Sequence, residues 1–110
     1  MVRVIWISRH PLNLQNIEIL KKAFGENITI SQITKTLTPE DVASIIEHNG
    51  KNAKYVVVLP PNLIQKFLEQ GAEVYRFIVE RKLHDDGTVH IEPVGLERIL
   101  EIKYITERVV

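Results

Sequence analysis

Two short runs, VRVIWI at residues 2–7 and YVVVL at 55–59, constrain this chain more than any other feature, because both are apolar on the two faces a strand would present. A strand with one wet face alternates apolar and polar residues. A strand apolar on both faces needs cover above and below, which is the setting of an interior strand in a parallel sheet. The segments between and around these runs supply the cover. Leu14, Ile17, Leu20 and Phe24 recur at helical spacing, and Gly25 closes that segment. NITISQI (27–33) alternates and predicts a strand with one wet face. Thr38 predicts a helix cap, with Pro39 at the first helical position, Glu40 and Asp41 at the positive end, and Val42, Ile45 and Ile46 as the inner stripe before Asn49-Gly50. After the second run, Pro60 and Pro61 end the strand. Leu63, Ile64, Phe67 and Leu68 then predict a third helix, closed by Gly71. AEVYRFIVERKL (72–83) predicts a fourth strand, and HDDG (84–87) a turn from which TVHIEPV pairs back as a hairpin. In the tail, Leu96, Ile99 and Leu100 suggest a short helical turn, and Ile102, Tyr104 and Thr106 a last strand.

The order is β-α-β-α-β-α-β with a C-terminal β-hairpin extension. It predicts an α/β fold: a mostly parallel sheet with helices on both faces. Residues 1–110 read as a single domain, without internal repeat, low-complexity segment or linker. Fourteen basic and fourteen acidic side chains cancel, a poor balance for gripping duplex DNA through many phosphates. The chain has no Cys, so disulfides, thiolate chemistry and Cys-ligated zinc are excluded. MVRVIWIS lacks the length and cleavage site of a secretory signal, and no apolar run approaches the ~20 residues of a membrane span. The expectation is a cytoplasmic chain with no membrane partner.

In open parallel sheets ligands bind beyond the carboxyl ends of the strands, where strand order reverses. Two loops on that edge are unusual: SRHPLN after the first strand and LPPN after the third. Both lead into helix N-termini, where backbone N–H groups favour an anion. Arg9 adds a forked cation suited to phosphate, and Asn13, Gln15 and Asn62 are uncharged donors nearby. Neither G-x-G-x-x-G nor a P-loop is present. Each residue alone has a plainer reading. Ser8 and Asn13 are good caps, Arg9 and His10 suit a solvated loop, and Asn62 suits the first turn of its helix. The weight lies in the cluster falling at one sheet edge. His48 suits a helix C-terminus, His84 a turn and His90 a solvent face. Asp85-Asp86-Gly87 reads as a tight turn, and no His or carboxylate group has metal-site spacing.

Ser8-Arg9-His10, Leu59-Pro60 with Asn62-Leu63, and Gly71-Ala72 with Tyr75 together resemble the small stand-alone CARF-like ring nucleases of type III CRISPR systems, over roughly residues 4–80. The chain departs from that pattern at Pro61, an extra residue before the asparagine, and its C-terminal thirty residues have no counterpart in it. The resemblance implies a Rossmann-like (CARF-like) fold and a homodimer that binds cyclic oligoadenylate, most often the four-membered ring. It implies cleavage without metal or cofactor, to linear oligoadenylates ending in a 2′,3′-cyclic phosphate, which switches off a second-messenger signal. Ser8, Arg9 and His10 would then be the catalytic residues, with Asn13, Gln15, Pro60, Pro61 and Asn62 around the ligand. His10 would serve as general acid or base, Arg9 would stabilise the phosphorane, and Ser8 would orient the 2′-OH or hold a phosphate oxygen.

Three other readings compete. A CARF-like sensor or sponge would hold the ring without cutting it. Arg-His after a first strand also occurs in histidine phosphatases, but those carry Gly after the His, where this chain has Pro11. A regulatory partner protein would bind no small ligand at all.

Overall fold

The first apolar run folds as β1 (Val2–Ile7), the strand on which the rest of the molecule is laid. It is followed by α1 (Leu14–Phe24), β2 (Ile28–Ile33), α2 (Pro39–Asn49), β3 (Lys54–Val57), α3 (Pro61–Glu69), β4 (Glu73–Leu83) and β5 (Val89–Ile99). The structure is a computed structural model that describes residues 1–103 and 106–110. Its five strands form one sheet in the order β2-β1-β3-β4-β5. The first four run parallel and β5 returns antiparallel to β4, so the fold is α/β with a mostly parallel sheet.

Strand β1 lies between β2 and β3, and its two-sided apolarity is used in full. Ile5 and Ile7, with Tyr55 and Val57 of β3, meet Val42, Ile45 and Ile46 of α2 and Leu63, Ile64 and Phe67 of α3. On the opposite face Val4, Trp6 and Val56 meet Leu20 and Phe24 of α1. Each fully buried side chain of this kind contributes about 1.5–3 kcal/mol. Edge-to-face contacts tie the second layer together: Trp6 to Phe77 at 5.5 Å between ring centroids, and Phe24 to Tyr75 at 5.1 Å. No described helix is long and apolar enough to cross a membrane.

The end of the chain departs from expectation. Leu96 and Ile99 form no helical turn. They lie in β5, where Leu96 pairs with Phe77 and Ile99 with Val74. Their spacing of three suits a helix, but in a strand it sends the two side chains to opposite faces. Each finds a layer to join: Leu96 packs on the α1 side and Ile99 on the α2–α3 side. Leu100 is exposed. Ile102 and Thr106 belong to no regular element, and Tyr104, between them in the expected last strand, lies outside the described residues. Leu14 also differs. It opens α1 but is 79% exposed, so the inner stripe of that helix runs from Ile17 onward.

Candidate functional site

The register of the three parallel strands aligns their carboxyl ends. Ile7 pairs with both Ile33 and Val57. The ladder then runs one bond further on each side: Ser8 N–H donates to the Ile33 carbonyl (3.2 Å) and Val58 N–H to the Ile7 carbonyl (3.0 Å). Strand order reverses between β1 and β3, because β2 and β3 flank β1 on opposite sides. A cavity of about 320 Å³ opens at this point, lined by Ser8–His10 after β1, Thr34–Leu37 after β2 and Val58–Pro60 after β3, with Ile7 and Leu63 at its base.

The loop after β1 is held from below. Trp6 Nε1 donates to the His10 carbonyl at 2.8 Å. Gln32 Nε2 donates to the carbonyls of both Ser8 and His10, each at 3.0 Å. Inside the loop, His10 N–H donates to Ser8 Oγ at 3.1 Å, which leaves the Ser8 proton free to donate elsewhere. Ser8 is buried, whereas Arg9 and His10 reach the surface of the cavity. Trp6 and Gln32 pair across β1 and β2, so two strand residues near the sheet edge set the path of the loop.

The loop after β2 forms a wall that the sequence reading left out. Arg9 donates through its guanidinium to Thr36 Oγ1, joining the first and second loops. Lys35 Nζ lies 3.1 Å from Asp41 Oδ1 in the first turn of α2. Asp41 Oδ2 also accepts from the N–H and hydroxyl of Thr38, at 2.7 and 3.1 Å. The Thr38 N–H foremost, then Lys35 and the Thr38 hydroxyl, hold the Asp41 carboxyl below its ordinary value. Nothing in residues 34–37 themselves marks them as part of a site. The available signal was topological, since any strand parallel to β1 and beside it delivers its loop to the same edge.

Not every expected residue reaches the cavity. Ser8, Arg9, His10 and Pro60 line it together. Asn13 caps α1 instead: its Oδ1 accepts from Asn16 N–H at 2.8 Å while Asn16 Oδ1 accepts from Asn13 N–H at 3.1 Å. This reciprocal pair satisfies the Asn13 and Asn16 N–H groups at the start of α1. Gln15 is exposed on α1, and neither it nor Asn13 lines the cavity. Pro61 borders a neighbouring depression between α3 and β5, and Asn62 is exposed in the first turn of α3 outside both. Pro60 caps α3 through its carbonyl, which accepts from Leu63 and Ile64 N–H.

The cavity lining carries Arg9 and Lys35 and no carboxylate, with three hydroxyl side chains (Ser8, Thr34, Thr36) and one imidazole. Among the described residues no three His, Asp or Glu side chains gather as metal ligands. The groups this chain itself brings to the cavity suit an anion, foremost a phosphate. Comparison with family models, with curated proteins and with solved structures found no match.

Proposed function

We propose that the cavity binds a phosphodiester of cyclic oligoadenylate and that the chain cleaves it, as a CARF-like ring nuclease of the Rossmann-like class. The observation that carries this reading is the convergence of Ser8, Arg9 and His10 with Lys35 and Pro60 on one cavity without a carboxylate, at the point where strand order reverses. RNA brings its own nucleophile. The 2′-OH attacks the adjacent phosphorus, the bond to the 5′-oxygen breaks, and a 2′,3′-cyclic phosphate remains. The protein need only align the two oxygens, take the 2′ proton, return a proton to the 5′-oxygen and stabilise the added charge. His10 carries the proton transfer, Arg9 faces the phosphorane with Lys35 behind it, and the Ser8 hydroxyl donates to a phosphate oxygen. A cavity of about 320 Å³ takes one portion of a cyclic tetranucleotide, which suits the homodimer that the resemblance implies.

One observation favours a binding-only sensor or sponge. Among the described residues the His10 imidazole has no side-chain hydrogen bond to orient it. An activated general base usually has such an orienting partner. Incubation with internally labelled cyclic tetra-adenylate in EDTA, followed by separation of products, decides between the readings. Linear products ending in cyclic phosphate support the nuclease. An intact ring with a saturable thermal shift supports the binder. An intact ring without a shift overturns both.

A further inference from the structure

The two sides of the cavity differ in chemistry, and strand order is the reason. The order β2-β1-β3 places the loop after β1 in the middle, with the loop after β2 on one side and the loop after β3 on the other. Neighbouring strands lie about 4.8 Å apart, so the outer two loops are separated by about 10 Å. Both cations and all three hydroxyl side chains of the lining come from the loops after β1 and β2. The loop after β3 brings only Val58, Leu59 and Pro60, with Leu63 of α3 behind them. This apolar wall is fixed in place. Val58 N–H donates to the Ile7 carbonyl, Leu59 packs on the core, and the Pro60 carbonyl caps α3. Yet Val58 is 61% exposed, directly after the buried Tyr55, Val56 and Val57. An apolar side chain held rigidly at a cavity mouth gains from a ligand surface that covers it.

We infer that the Val58–Pro60 wall is the platform for the base of the bound nucleotide unit, and that it selects a purine by surface rather than by its hydrogen-bonding edge. The inference rests on the ligand class proposed above. Phosphate and base sit on opposite sides of a ribose, so a phosphate drawn to Arg9 and Lys35 leaves its base against the other wall. There the flat ring covers Val58 and Pro60, and a two-ring purine covers more of them than a one-ring pyrimidine does. Reading an adenine edge takes a donor and an acceptor side by side, as an Asn or Gln side chain supplies them. Among the described residues the cavity lining has neither, nor a carboxylate. Asn13 is bonded to Asn16, Gln32 gives its amide nitrogen to the carbonyls of Ser8 and His10, and Gln15 and Asn62 lie outside the cavity. Of the hydroxyls, Ser8 accepts from His10 N–H and Thr36 from Arg9, both away from the apolar wall. An apolar wall sorts ligands by size and shape and rejects an isostere of altered polarity poorly. Val58 is thus a specificity-determining residue that separates purine from pyrimidine and does not separate one purine from another.

Filter binding on the full chain, with cyclic tetra-adenylate, cyclic tetra-inosinate and cyclic tetra-uridylate, tests the inference; His10→Ala run beside the parent controls for cleavage. Hypoxanthine keeps the two-ring shape of adenine but inverts the donor and acceptor on its pairing edge. The inosinate ring is expected to bind within about five-fold of the adenylate ring, and the uridylate ring about ten-fold more weakly or worse. A larger gap between the two purine rings overturns the inference and leaves the ring-binding reading standing. So does a uridylate ring that binds as tightly as the adenylate ring. Binding of no ring overturns the inference together with the reading beneath it. Val58→Ser is expected to weaken both purine rings by the same factor, about five-fold, through lost apolar contact. Should that variant fail to fold, Val58→Thr keeps the shape of the side chain and is expected to weaken both by about two-fold or more. Unchanged purine affinity in the folded variant places the base elsewhere and overturns the inference.

Discussion

At the residue scale, the candidate site is a short loop whose backbone is fastened by neighbouring strand residues and whose Arg9 is tied to Thr36 of the next loop. Arg9 and His10 face the cavity, while Trp6 and Gln32 hold the carbonyls beneath them. On the proposed reaction, Arg9→Ala and His10→Ala are each expected to slow ring opening by about 10²-fold or more, the scale of lost charge stabilisation or proton transfer. His10→Ala should spare ring binding, and a filter-binding titration beside the cleavage assay checks that split. Gln32→Leu acts differently. It strips a shared donor from the Ser8 and His10 carbonyls, at a cost of about 1–2 kcal/mol, which corresponds to a Tm lower by about 4–8 °C in a differential scanning experiment. Two of these four residues were legible in the chain and two were not. An Arg-His pair after an apolar run is a local signal. Trp6 and Gln32 looked like ordinary strand residues, and their role comes from the pairing of β1 with β2.

At the element scale, helix ends and turns carry the local stability. Asp41 ties the start of α2 to Thr38 and Lys35, and these contacts depress its carboxyl. Glu73, held first by Lys54 and then by the Tyr75 hydroxyl, is depressed as well. A carboxyl with a lowered folded-state pKa adds stability that is present above its unfolded value and lost as pH falls through the folded one. Stability is therefore expected to be flat near neutrality and to fall below about pH 4. Urea midpoints measured from pH 6 to pH 3 should show that fall, and Asp41→Asn should make it shallower by lowering the plateau. The β4–β5 turn rests on Gly87, whose φ is 85°. Gly87→Val forces a β-branched residue into that conformation, and is expected to cost about 1–2 kcal/mol. Hydrogen exchange should localise the loss to the β4 and β5 amides, with β1 and β3 unchanged. Turn, caps and helices were all readable beforehand because each is written within four or five consecutive residues.

At the scale of the whole molecule, one sheet sorts the apolar residues into two layers, and the layers differ in depth. The α2–α3 side holds the larger share of buried residues, with Phe67 and Tyr55 completely enclosed and their rings 5.2 Å apart. Phe67→Ala is expected to cost about 3–5 kcal/mol. That is a large part of the 5–15 kcal/mol typical of a domain, and equilibrium denaturation should find the variant partly unfolded at 37 °C. The identity and order of the elements from β1 to the β4–β5 turn, and the sheet edge on which to seek a site, were set by the sequence alone. The physical reason is that periods of 2 and 3.6 residues, caps and turn glycines are local properties of a chain. Tertiary structure alone decided that Thr34–Leu37 walls the cavity, that Asn13 spends its side chain on Asn16, and that Leu96–Ile99 becomes strand. Each of these follows from which strand lies beside which, and the free edge of β4 gave the last segment more hydrogen bonds and cover than a solitary helical turn would.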